Sequence, residues 1–109
     1  GHGSMRVSTH SRINETFKQG RRWTIGAVAF SCLIRKDFRK RLVILIAKKN
    51  YPSAVDRNRL RRLVREAWKK GETMVQPGAD LVITVRRGLN PKVIKFFDIE
   101  KMLLNGLKR

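Results

Sequence analysis

The stretch from Ala54 to Lys70 constrains this chain more than any other part of it. At about 100° per residue, Leu60, Leu63, Val64, Ala67 and Trp68 fall on one arc, the spacing of a helix packed on a core. Arg57, Asn58, Arg61, Arg62, Arg65 and Lys69 fall on the opposite arc. Ser53, with Asp56 three residues on, predicts a start near Ala54 in the manner of a capping box, and Gly71 predicts the end. A soluble helix ordinarily sets Glu or Asp four residues from Lys or Arg. Here only Asp56 and Glu66 offset the run, and like charges three and four apart cost roughly 0.2–0.5 kcal/mol per pair. A helix face that repels itself in this way is stabilised by a polyanion.

The whole chain points the same way. It carries 26 Lys plus Arg against 8 Asp plus Glu in 109 residues, a formal net charge of +18. With 41% hydrophobic residues it can still build one core, which excludes a disordered basic tail and predicts a single small domain. Gly1-His2-Gly3-Ser4 reads as an expression scar ahead of Met5, leaving residues 5–109 as the domain. No run approaches the roughly 18 apolar residues of a membrane span, and no leader pattern follows Met5, so the sequence predicts no membrane association and a cytoplasmic location. The single Cys32 excludes an internal disulfide and a cysteine-based zinc cluster, and reads as a small buried hydrophobe.

Around the basic helix the pattern alternates. Ile13, Thr16 and Phe17 share a face, with Thr9 as N-cap and Gly20 as terminator, so a first helix is expected over about residues 10–19. Trp23 to Ile34 and Leu42 to Ala47 read as a pair of strands joined by a charged turn as a hairpin, the second strand apolar on both alternations as in a central strand. Asp80 to Val85 predicts another strand, and Ile99, Met102, Leu103 and Leu107 a last helix over about residues 98–107. Phe96 and Phe97 are expected to anchor that helix to the core. The order α-β-β(-β)-α-β-α predicts a two-layer α/β sandwich.

Catalysis by side chains needs a nucleophile with a base, paired carboxylates or a metal cluster. His10 stands alone and the eight acidic residues are scattered singly, so no catalytic residue and no metal ligand is assigned. Phosphate binding is nearly forced by charge. A helix-turn-helix needs a helix just upstream of the basic one, where this chain has a strand. RNA recognised through shape and phosphate geometry is therefore favoured over DNA.

Ala47-Lys48-Lys49, then Ala54, then Arg57-Asn58-Arg59-Leu60-Arg61-Arg62-Leu63-Val64-Arg65-Glu66 resembles the signature of the bacterial ribonuclease P protein subunit, in which a strand ending in two lysines precedes an "RNR" helix. The resemblance extends to Arg6-Val7, Phe17, Gly20 and the strand from Asp80 to Val85. It implies a cofactor protein of a ribonucleoprotein endonuclease that removes the 5′ leader of precursor tRNA, with the active site and the magnesium ions held by the RNA. The protein would be a monomer within that particle, with the catalytic RNA subunit and precursor tRNA as its partners. By position, the family's RNA-docking surface falls on Lys48, Lys49, Arg57, Asn58, Arg59, Arg61, Arg62 and Arg65, which Lys69 extends on the same helix face. The family's leader cleft, between the first helix and the sheet, falls on Arg6, Ile13, Phe17 and a strand position at Phe30 or Ser31.

Two departures stand out. Four residues, Asn50-Tyr51-Pro52-Ser53, separate the lysines from Ala54 where many members have three including a glycine, and Ile13 stands where an aromatic is common. The family fold also implies a mixed sheet with a left-handed crossover between parallel strands, against the usual right-handed rule. The alternatives are a ribosomal or assembly-factor RNA-binding protein, which needs no leader cleft, a duplex-DNA architectural protein, and a stand-alone nuclease cleaving with magnesium alone.

Overall fold

The computed structural model describes residues 9–108. Three helices and four strands follow in the order α1 (Thr9–Gln19), β1 (Arg21–Ile25), β2 (Val28–Ile34), β3 (Arg41–Ile46), α2 (Ala54–Gly71), β4 (Ala79–Val85) and α3 (Phe96–Leu107). The strands form one mixed sheet in the order β1-β2-β4-β3, with β1, β2 and β4 antiparallel in turn and β3 parallel to β4.

The run from residue 23 to 34, expected as one strand, contains two. Gly26, at φ 57°, takes the left-handed conformation that lets the chain reverse between Ile25 and Val28, so the hairpin is β1–β2. The expected hairpin between residues 23–34 and 42–47 does not form. The charged segment after Ile34 carries the chain past the neighbouring position, which β4 later fills, and β3 pairs parallel with β4. The strand read as central is thus an edge strand, half-buried at every position. The fully covered strand is β4, where Ala79 to Ile83 and Val85 are all buried.

Strand alternation sorts side chains onto two faces. Val28, Phe30, Leu81, Ile83 and Val85 form the core with Leu60, Leu63, Val64 and Ala67 of α2 and Ile99, Leu103 and Leu107 of α3. The apolar arc of α2 is therefore the buried one, with Trp68 partly covered. Ser53 caps α2, its Oγ accepting from Asp56 N–H at 3.4 Å. Helix α3 starts two residues before the expected Asp98, whose Oδ2 accepts from Lys95 N–H at 3.2 Å. Phe96 packs on the core as expected, but Phe97 is 66% exposed and anchors nothing.

The opposite face carries Ser31, Asp80 and Val82, and α1 lies across it. Thr16 is fully buried there, its hydroxyl donating to Arg12 O at 2.8 Å. Asp80, 1% exposed, accepts from Arg35 Nε at 2.8 Å and pairs with Arg12 Nε at 3.4 Å, while Arg35 Nη2 also reaches Glu15 at 2.7 Å. The hydrogen bond to Asp80 holds the Arg35 guanidinium above its ordinary pKa in spite of its desolvation. This ionic knot fastens α1 to the sheet at one end and leaves the other end of that face open.

Candidate nucleic-acid interface

Helix α2 displays its cationic arc away from the core, but its arginines are not equivalent. Arg62, Arg65 and Lys69 are exposed, and no described residue pairs with them. Arg61 is half-buried and donates to Asn58 Oδ1 at 3.3 Å. Arg57 Nη1 donates to Tyr51 O at 2.9 Å and Pro52 O at 2.8 Å, closing the loop that enters the helix. Arg59 donates from Nη1 to Pro91 O at 2.9 Å and from Nη2 to Ile94 O at 2.7 Å, tying α2 to the segment that leads into α3. Two of the expected RNA ligands thus also brace the fold, while Arg62 and Arg65 keep their whole fork for an anion.

Lys48 and Lys49 lie where β3 leaves the sheet. Because β3 runs parallel to β4, with Ile46 opposite Val85, the residues after both strands emerge at the same end. Arg86 and Arg87 therefore emerge at the lysines' end of the sheet, and together with Lys49, Asn50 and the Gly26 turn they line an open depression. Tyr51 fixes this arrangement. Its ring is buried, and its hydroxyl donates to Arg86 O at 2.6 Å and accepts from Leu89 N–H at 3.3 Å. Arg86 and Arg87 are not among the residues assigned from the sequence, because their proximity to Lys48 and Lys49 depends on the β3–β4 register, which the residue pattern does not carry.

On the α1 face, Phe17, Arg22, Thr24, Ala29, Ser31 and Thr84 line an open depression of about 500 Å³. Phe17 is half-buried and its ring carries the Arg22 guanidinium 5.4 Å from its centroid, so an aromatic and a cation share one wall. Ile13, one turn earlier on α1, is also half-buried. Phe30 also borders this depression, but its ring belongs to the core face. It is 1% exposed, stacks on Trp23 at 5.3 Å and presses against Gly106, where a Cβ would stand 2.1 Å from the ring. Strand alternation turns Ser31 towards the depression instead, and of the two open strand positions Ser31 is the one that faces α1. Arg6 lies outside the described residues.

The carboxylates other than Glu66 and Glu72 are engaged. Glu15, Asp37 and Asp80 each meet an arginine, and among the described residues no group of three or more His, Cys, Asp or Glu is placed to hold a metal ion. Cys32 is half-buried, and its desolvation pushes the thiol pKa up, away from nucleophilic reactivity. Among the described residues no helix is long and apolar enough to cross a membrane.

Fold and surface together define a basic α/β sandwich with a phosphate-complementary helix on one side of its sheet and an aromatic-lined depression on the other. Comparison with known proteins places it. Residues 2–109 match the family model described as Ribonuclease P, and the chain belongs to that family. It is 31% identical to the ribonuclease P protein component of Clostridioides difficile over 100 residues, covering 91% of this chain and 85% of that one. Against the Thermotoga maritima component it is 33% identical over 98 residues, covering 85% and 80%. The solved structure of the Thermotoga maritima RNase P protein in complex with 1-(4-fluorophenyl)-2-thiourea superposes with a TM-score of 0.84 at 26% identity, over 95% of this chain and 98% of that one. The family's role is tRNA 5′ processing as part of a ribonucleoprotein, so the resemblance read from the RNR helix holds.

Proposed function

We propose that this chain is the RNA-binding subunit of ribonuclease P, holding the catalytic RNA with the cationic face of α2 and the 5′ leader of precursor tRNA in the depression beside α1. The observation that carries this reading is the separation of the two surfaces onto opposite faces of one sheet, which lets one small protein touch enzyme RNA and substrate together. The α2 face, with Lys48, Lys49, Arg61, Arg62, Arg65 and Lys69, supplies phosphate contacts for a folded RNA. The Phe17 wall offers a stacking surface and Arg22 a phosphate partner, a combination suited to single-stranded RNA.

Magnesium belongs to the RNA and substrate in this reading. The donor set of the described residues does not fit such an ion, because no three His, Cys, Asp or Glu side chains come together and Glu15, Asp37 and Asp80 are already paired with arginine. The chain binds and orients; the RNA cleaves. In the test, precursor tRNA is incubated in magnesium with the chain, with its cognate RNA subunit, or with both. Cleavage at the leader junction that requires the RNA, and that the chain accelerates at low magnesium, is expected. Cleavage by the chain alone, or no effect of the chain on the RNA, would refute the proposal.

A further inference from the structure

The segment between β2 and β3, residues 35–40, lies at the end of the sheet remote from Lys48 and Arg86. Its Phe38 is 87% exposed, the most exposed of the large hydrophobic side chains among the described residues. A lone exposed apolar side chain ordinarily carries no meaning. This one sits on a loop whose backbone is held at several points. Arg35 N–H donates to Gly78 O at 2.9 Å. Gly78, at φ 89°, packs so closely that a Cβ would stand 2.5 Å from Arg35 O and 2.6 Å from Asp37 O. Asp37 Oδ1 accepts from Arg39 N–H at 3.1 Å, and the same carboxylate takes both arms of the Arg41 fork, at 3.2 and 2.6 Å. Lys40 Nζ donates at 2.7 Å to Glu72 O, the residue just after α2.

These pins fix the loop and join it to the end of α2 that carries Lys69 and Lys70. Lys36 and Arg39 flank Phe38 and are exposed; no hydrogen bond or ion pair with a described residue engages either side chain, although the Arg39 charge helps hold Asp37 ionised. A preordered aromatic between free cations suits a nucleobase, whose π-face stacks on the ring while the neighbouring phosphates meet the charges. An apolar protein pocket would have to desolvate those cations along with the ring.

We propose that the 35–40 loop is a second RNA contact, in which Phe38 stacks on an unpaired base of the catalytic RNA and Lys36 and Arg39 meet the flanking phosphates. The assignment to the catalytic RNA, and not to the leader, rests on the function proposed above and on the hydrogen bond that makes the loop continuous with α2. The α1 depression is on the other face.

The test compares wild type with Phe38→Ala, Phe38→Leu and Phe38→Trp for affinity to the RNA subunit at fixed salt, with thermal midpoints as a check on folding. All three should fold as wild type does. Ala and Leu should weaken binding about 5- to 150-fold, the range expected for one stacked base, and Trp should restore it. The dependence on salt should stay unchanged, because no phosphate contact is lost. Wild-type affinity in Phe38→Ala, or full rescue by Leu, would overturn the contact. If wild type itself fails to bind the RNA subunit, the proposed function fails first; if wild type binds and Phe38→Ala binds equally, only the loop contact fails.

Discussion

Arg59 and Arg65 lie six residues apart on one helix, and the structure gives them different work. Arg59 spends two guanidinium nitrogens on the carbonyls of Pro91 and Ile94. Replacing it with Ala removes two charge-assisted bonds, each worth roughly 1.5–3 kcal/mol in a protected site. The side chain is only half-buried and water can serve the carbonyls, so the expected cost is about 2 kcal/mol in total. For a domain of this size that lowers the thermal midpoint by about 8 °C or somewhat more. Arg65→Ala removes an exposed, unpaired cation from a repulsive face, and its effect on stability should stay within about 0.5 kcal/mol. In RNA binding the order reverses. Arg65→Ala should flatten the slope of log affinity against log salt by about 0.7–0.9, one phosphate contact. Arg59→Ala should weaken binding mainly through the fraction folded and leave the slope closer to wild type. Thermal melts followed by circular dichroism, and filter binding to the RNA subunit at several salt concentrations, measure both quantities. Equal melting points, or equal changes in slope, would refute the division between bracing and docking arginines.

Three further outcomes follow from the geometry. Asp80→Ala leaves Arg35 and Arg12 without their buried partner and should cost about 2–3 kcal/mol in urea unfolding, below the 3–5 expected of a fully buried pair because both arginines are partly exposed; an unchanged midpoint would show that the knot does not fasten α1. Phe17→Ala should fold, keep its affinity for the RNA subunit and lose the assembled enzyme's preference for precursor over mature tRNA, and an unchanged precursor-to-mature ratio removes Phe17 from the leader site. Burial raises the folded-state pKa of Cys32 above its unfolded value, so the stability it contributes is present below the ordinary thiol pKa and lost as pH rises through the raised one; alkylation should be slow at neutral pH and accelerate only in alkali, and fast labelling at pH 7 would contradict it.

The helix periodicities were legible because each apolar arc is set by residues within a few turns of one another. Leu60, Leu63, Val64 and Ala67 are buried as their spacing requires, and Ile99 and Leu103 likewise. Strand neighbours were not legible, because pairing is long-range. The apolar run in β3 looks like a central strand, and only the placement of β4, more than thirty residues later in sequence, makes it an edge. The site inherits the same division. The cationic arc of α2 follows from helical geometry alone, whereas Arg86 and Arg87 join Lys48 and Lys49 only through the parallel register. The choice between Phe30 and Ser31 turns on a related point. The resemblance allowed Phe30 or Ser31, and which of two consecutive strand residues faces α1 is decided by the register with β4. The bracing roles of Arg57 and Arg59 have no sequence signature, since their partners are backbone carbonyls.

The central claim is that opposite faces of one sheet meet two different RNAs, and site-specific crosslinking tests it most directly. A photoreactive residue replaces Glu66, exposed on the cationic side of α2, or Thr24, exposed beside Phe17, in the complex of chain, RNA subunit and precursor tRNA. Both positions leave every proposed cation in place. The account predicts that position 66 crosslinks to the RNA subunit and position 24 to the 5′ leader, the latter vanishing with mature tRNA. Crosslinks from both positions to the same RNA, or from position 24 to mature tRNA as readily as to precursor, would contradict it.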